Sequence, residues 1–282
     1  MNFETNVNLE TIIIICEYLF ILGGLYLLFL WSLKTHFGKY ALSESAIRRT
    51  NLNPLVPLGI LIMLYLGIFA AGELKDKLFS NLEKWQQALT DNLLICICTI
   101  IAIIVVAIIA DRTFARRLRG FGFKWETIGK DFGMSIVNLY SIWPLLTGSL
   151  LLTVYAGKLI YGPEFEMSKH EQLQVLTQYP QLSVKIATIA TAAIIAPLFE
   201  EILFRGMFQS IIRSFVIKPW LAIILTSIFF ASIHANVAHW PTLFILSVSL
   251  GYAYEKSGSI LRPIFMHFIF NAASLAATLY IS

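Results

Sequence analysis

Ala196-Pro197-Leu198-Phe199-Glu200-Glu201-Ile202-Leu203-Phe204-Arg205-Gly206 sets two adjacent carboxylates and an arginine inside an apolar helical run. A charged side chain at the centre of a membrane helix costs roughly 2.5–3.5 kcal/mol on insertion scales. Three within a turn and a half would cost on the order of 8–10 kcal/mol if all faced lipid. They are therefore expected to point into a protein interior, where such residues mark a candidate functional site. Neighbouring helix positions lie about 100° apart, so Glu200 and Glu201 point in different directions. Glu201 and Arg205, at i and i+4, are placed to form an ion pair. Glu200 is left without a built-in partner. A carboxylate buried without a counter-charge titrates closer to neutrality, which suits a general base. A structural charge network between helices is the competing reading of the same residues.

Outward from this stretch the chain stays apolar. Of 282 residues 57% are hydrophobic and 13% charged, far from the balance of a soluble domain and in keeping with a polytopic membrane protein. Apolar windows predict an all-α transmembrane bundle of about eight helices, near 9–33, 54–73, 92–111, 134–158, 181–216, 219–235, 240–255 and 260–281. Most suffice to cross about 30 Å of hydrocarbon. The fifth is too long for a simple span and is expected to tilt or bend at Pro197; the seventh is short enough to be a partial span. Residues 1–160 are read as N-terminal transmembrane helices of unassigned role, 161–180 as a surface connection and 181–282 as the catalytic helices. The first apolar run has no Lys or Arg before it and is too long for a signal-peptide core, so it is expected to be a retained span. The product is an integral, multi-pass protein, of the cell membrane in a prokaryote.

Connections 34–53, 111–133, 206–219 and 255–262 hold fourteen of the Lys and Arg residues against six in the alternate ones, with Arg205 set aside. The positive-inside rule then places both termini outside the cytoplasm. Leu74, Leu78, Leu82, Trp85 and Leu89 recur at helical spacing and predict an amphipathic helix in the interface. Ser168-x-x-Glu171 is a capping-box pattern ahead of a short surface helix that ends before Tyr179-Pro180. Residues 112–128 mix four arginines with Phe114, Phe121, Phe123 and Trp125, as a basic elbow on lipid headgroups would. Glu17, alone in the first span, is expected to be buried against a partner. Cys16, Cys96 and Cys98 fit neither a disulfide framework nor a thiolate metal site and read as small core residues. No basic patch with interleaved aromatics points to nucleic acid.

Of five histidines, His36 and His170 read as surface residues and His239 as a loop or interface residue. His234 closes the sixth helix in Phe230-Ala231-Ser232-Ile233-His234. His267 shares a helix face with Asn271 in His267-Phe268-Ile269-Phe270-Asn271. Each alone would be an ordinary packing residue. With Glu200 and Glu201 they form the main polar cluster of the C-terminal half. Glutamate can take a proton from water, histidine can donate one or orient the water, and an asparagine amide can hold an oxyanion. Hydrolysis of a carbonyl compound needs those roles. His-Glu-x-x-His of zinc proteases and the Gly-flanked serine of α/β-hydrolases are both missing.

Glu200-Glu201-x-x-x-Arg205, Phe230-x-x-x-His234 and His267-x-x-x-Asn271 together resemble the three motifs of the CPBP family, in the same order. That family comprises the type II CAAX prenyl proteases and the bacteriocin-processing or immunity proteins, also called Abi membrane proteases. The similarity covers about residues 181–281. It implies an all-helical intramembrane endopeptidase acting on a membrane-associated peptide or protein, including CAAX-type prenylated ones, within the lipid bilayer and without nucleic acid. Carried over by position, Glu200 activates the water and His234 assists it. His267 and Asn271 bind the tetrahedral oxyanion, and Glu201 and Arg205 orient the site. The family has also been described as metalloproteases. Glu200, His234 and His267 would then be the ligands of Zn²⁺, the alternative to a metal-free glutamate mechanism. A non-catalytic membrane scaffold or bacteriocin-immunity protein that keeps the cluster for structure is the competing function; a transporter with a midplane polar site ranks behind both.

Overall fold

The computed structural model describes residues 9–79, 81–167, 171–216, 218–234 and 236–281; among these it has ten helices and no strand. The apolar spans are α1 (Leu9–Lys34), α2 (Val56–Leu78), α3 (Lys84–Thr113), α5 (Ile128–Tyr161) and α7 (Leu182–Phe215). Each is long and apolar enough to cross a membrane. Three shorter helices complete the bundle: α8 (Pro219–Ser232), α9 (Trp240–Ser257) and α10 (Leu261–Ile281). The eight expected helices correspond to these. The remaining two, α4 (Arg117–Phe121) and α6 (Glu171–Gln178), are short helices of five and eight residues between spans. The protein is an integral, multi-pass membrane protein.

Two expectations are corrected. The amphipathic interface helix over 74–89 does not exist. α2 stops at Leu78, and a reciprocal capping box between Glu83 and Gln86 starts α3 at Lys84. The Leu spacing therefore ran across two helix ends, because a cap overrides periodicity where it satisfies the free N–H groups. Glu17 is exposed rather than buried. α1 approaches α5 at Gly23 and Gly24, which leave room for Tyr140 and Pro144, and Phe20 packs on Tyr140 and Trp143, while Glu17 stays exposed. The capping pattern at Ser168 and the surface reading of His170 lie outside the described residues.

α7 is continuous through Pro197. The ring removes an N–H and crowds the carbonyl four residues back. The helix absorbs this with a π-helical stretch, Ala190–Ile195, just before the proline, and a second, Ile202–Gln209, follows Glu201. Packing then gathers around α7. Phe199, Leu203, Phe204 and Met207 share one buried apolar cluster with Val106 and Ala110 of α3, Phe121 of α4 and Phe230 of α8. Helices from both halves of the chain thus meet in a single core.

The four basic connections converge at one end of the bundle. Arg48 donates to the carbonyl of Tyr254 and pairs with Glu255 at 3.5 Å. Lys256 donates to Ala41, Trp220 to Gly38, and the Ile260 N–H to Gly122. Thr50 bridges to Phe114. The elbow is not merely laid on headgroups. Phe121 is 1% exposed and fills the space left by the missing side chain of Gly206.

Candidate active site

Depth along the helices brings the polar residues to one level. Phe204 of α7 packs against Phe229 and Phe230 of α8, with ring centroids 5.7 and 5.1 Å away. One helical turn further from the basic end stand Glu200 and Glu201 on α7 and His234 on the other chain segment. α8 ends at Ser232, so Ile233 and His234 form a turn rather than the last helical residues. At 1.5 Å per residue α8 reaches only about 21 Å from its basic-end start, short of a full crossing. Irregular backbone at such depth is tolerated where protein surrounds it or a polar cavity lies beside it. Trp240 Nε1 donates to the His234 carbonyl, and the Asn236 side chain caps the Ala238 N–H, so the turn's polar groups have partners.

His267 reaches the same level because α10 begins deep. Its start is tied to the inserted elbow through Ile260 and Gly122, beside Tyr254, whose hydroxyl meets Ser210 of α7 at 3.3 Å. Seven residues from Ile260 to His267 span about 10 Å, and nine from Ser210 to Glu201 about 13 Å. A buried ion pair between Arg262 and Asp131, with 2.9 and 3.0 Å contacts, fixes the α10 start against α5.

The contacts form a relay. Arg205 Nε lies 3.1 Å from Glu201 Oε2, the i,i+4 pair expected from spacing, with both side chains fully buried. Arg205 also donates to the backbone and hydroxyl oxygens of Ser247 on α9, and its guanidinium carbon lies 4.8 Å from the centre of the Phe230 ring. The other Glu201 oxygen meets His267 Nδ1 at 2.8 Å. Across the imidazole, Nε2 lies 3.8 Å from Glu200 Oε2. That gap is too long for a direct hydrogen bond and short enough for one water to touch both atoms. Glu200 is therefore not partnerless, as spacing alone suggested: it faces the histidine that Glu201 holds. It is also the accessible member, at 26% side-chain exposure against 4% for His267.

His234 and Asn271 flank this relay without touching it directly. His234 Nδ1 meets the Phe230 carbonyl at 2.7 Å. A carbonyl only accepts, so Nδ1 carries a proton, and in the neutral tautomer that leaves a lone pair on Nε2. The Phe230 ring stands between the two imidazoles, 4.8 Å from His234 and 6.1 Å from His267. Asn271 Nδ2 donates to the carbonyl of Ala192, inside the π-helical stretch before Pro197. Its second amide hydrogen remains for another acceptor. Among the described residues no three His, Cys, Asp or Glu side chains are grouped to hold a metal ion, and the Phe230 ring separates the His234 and His267 imidazoles. The set of Glu200, His234 and His267 does not fit Zn²⁺ in this arrangement.

Residues not singled out from sequence support the cluster. Glu201, Arg205 and Gln209 run at four-residue spacing along α7, facing Ser247, Gly251 and Glu255 at the same spacing on α9. Gln209 donates to the Gly251 carbonyl and to Glu255, which pairs with Arg48. The matched i, i+4 runs of small and polar residues were the available signal. His239 opens α9 and His36 is exposed, beside Tyr40.

Residues 182–273 match the family model described as "Type II CAAX prenyl endopeptidase Rce1-like". An Escherichia coli protein named only as an uncharacterized 24.3 kDa protein is 30% identical over 128 residues, covering 44% of this chain. The match spans 58% of that protein's length. No solved structure matches the chain.

Proposed function

We propose, on the premise that residues 182–273 form a CPBP-type, Rce1-like domain, that the chain is an intramembrane endopeptidase that hydrolyses a membrane-associated peptide or protein. The observation that carries this reading is the relay Arg205–Glu201–His267 facing the more accessible Glu200 across 3.8 Å. A CAAX-type prenylated chain is the substrate class that the family suggests.

In the proposed reaction a water sits against Glu200 Oε2 and His267 Nε2. Glu200 takes its proton, and the hydroxide adds to the scissile carbonyl. The oxyanion is met by the second amide hydrogen of Asn271, and by His267 when its ring carries protons on both nitrogens. Collapse expels the amine, which takes the proton from Glu200, so one water is consumed per bond cut. His234 Nε2 accepts a hydrogen bond from the water or the incoming peptide N–H. Ser247 holds Arg205, Arg205 holds Glu201, and Glu201 holds the His267 ring. No step needs a metal.

Glu200→Gln should abolish cleavage of a reporter peptide in membranes while leaving the protein folded and abundant. Undiminished cleavage would remove Glu200 as the base. The burial of Glu201 and His267 favours one second reading, a non-catalytic scaffold or immunity protein. On that reading Glu200→Gln and His234→Ala would leave the biological effect of the chain intact. Chelator sensitivity reversed by added zinc would count against the metal-free scheme.

A further inference from the structure

At the basic end a cavity of about 430 Å³ opens between α3 and the elbow, apart from the relay, and its lining changes character with depth. Ala107, Leu118 and Phe123 form the apolar part, and Arg119, Trp125 and Glu126 the mouth. Ala107 stands six residues before the end of α3, about 9 Å into the span. The cavity thus runs from the headgroup level into the depth of acyl chains.

Charge at the mouth is one-sided. Arg112, Arg116, Arg117, Arg119 and Lys130 are exposed on the elbow and its flanks, against the single exposed carboxylate of Glu126 on that elbow. Glu126 pairs with Arg119 at 2.8 Å, but both side chains are more than half exposed, and such a pair contributes little. Arg117 holds a left-handed backbone with φ 51°, uncommon for a residue with a Cβ and a form of strain found at ligand clamps. Lys124, partly buried beside them, has its pKa lowered chiefly by burial and then by the nearby Arg48 charge. Trp125 is 69% exposed at the level where interfacial tryptophans anchor.

We infer that this cavity is a binding site for an anionic phospholipid, its phosphate on Arg119 and the neighbouring arginines and its acyl chain along Ala107, Leu118 and Phe123. A free phosphate would use the arginines but leave the apolar half empty, whereas an amphipathic lipid uses both. The site is joined to the catalytic helix. Phe123 stacks on Phe121, with ring centroids 6.0 Å apart, and Phe121 fills the space over Gly206, next to Arg205.

The test is quenching of tryptophan fluorescence in the full chain in detergent micelles, titrated with brominated-chain phosphatidylglycerol and, separately, brominated-chain phosphatidylcholine. A Trp125→Phe variant isolates the signal of one among six tryptophans. Phosphatidylglycerol should quench Trp125 at about tenfold lower concentration than phosphatidylcholine. Arg119→Gln should weaken that preference about fivefold, as loss of one cation near an anionic surface does. Ala107→Leu, which narrows the apolar half, should weaken both lipids. Inorganic phosphate at millimolar concentration should not displace the lipid. Equal quenching by the two lipids, a preference untouched by Arg119→Gln, binding of both lipids untouched by Ala107→Leu, or displacement by phosphate would each overturn the site.

Discussion

Adjacent glutamates on α7 stand in opposite surroundings, and the difference should be readable in stability. Glu201 is fully buried and joins Arg205 to His267. Removing one partner of a buried ion pair costs about 3–5 kcal/mol, because the other charge is left in a low-dielectric interior. Arg205→Ala is therefore expected to destabilise the protein by that amount in thermal unfolding. Glu200 is partly exposed and, among the described residues, its approach to His267 at 3.8 Å is too long for a hydrogen bond, so Glu200→Gln should cost less than about 1 kcal/mol. The reverse ranking would mean that Glu200 is the structural carboxylate. Ser247→Ala removes one acceptor from the Arg205 guanidinium but leaves the backbone one, and should cost about 1 kcal/mol. At this scale spacing could show the Glu201–Arg205 pair, since i and i+4 share a helix face. It could not show that His267 bridges the two glutamates. That contact joins residues 66 positions apart, which no local period encodes.

At the scale of elements, the two π-helical stretches explain why one long helix serves the site. The stretch before Pro197 offers the Ala192 carbonyl to Asn271, and the stretch after Glu201 brings Gly206 beneath Phe121. A Cβ at Gly206 would overlap the tip of the Phe121 ring, which is itself held in the core. Gly206→Ala should thus cost about 1–3 kcal/mol through overpacking. Phe121→Ala should cost about 3–5 kcal/mol through the cavity it leaves. The double variant should be more stable than the sum of the two predicts by at least 0.5 kcal/mol, because each change relieves the other. Strict additivity in denaturation midpoints would show that the elbow and α7 are not in contact. Helix existence was legible from apolar windows, whereas the helix ends and this insertion were not. The Leu74–Leu89 spacing was interrupted by the Glu83–Gln86 cap, and α8 stops before His234. Glu17 shows the complementary failure: a lone carboxylate in an apolar run was expected to face protein, but α1 packs on α5 through Phe20, Gly23 and Gly24 and Glu17 stays exposed.

For the whole molecule, the decisive arrangement is that four connections far apart in sequence form one basic end. Arg48 with Glu255, Lys256 with Ala41, Trp220 with Gly38 and Ile260 with Gly122 tie them together. Counting charges could assign these loops to one side only as a rule of thumb, while their mutual hydrogen bonds make it a geometric necessity. A loop that donates to another across about 3 Å cannot lie on the opposite membrane face. Glu44 and Glu126 are exposed on this end, and Glu83 and Glu164 are exposed on the connections that alternate with it. Cysteines placed at these four positions, in a chain lacking Cys16, Cys96 and Cys98, can be probed with a membrane-impermeant maleimide. In inside-out vesicles Glu44→Cys and Glu126→Cys should label, and Glu83→Cys and Glu164→Cys should not; in right-side-out vesicles the pattern should invert. Should Glu44→Cys and Glu126→Cys label from opposite sides, the shared end is wrong and the depth match between Glu200, His234 and His267 fails with it. If the pairs hold together but the sides are exchanged, the bundle stands and only the positive-inside orientation is lost. The relay is fixed by contacts within the bundle, whereas the side from which a substrate approaches depends on the orientation.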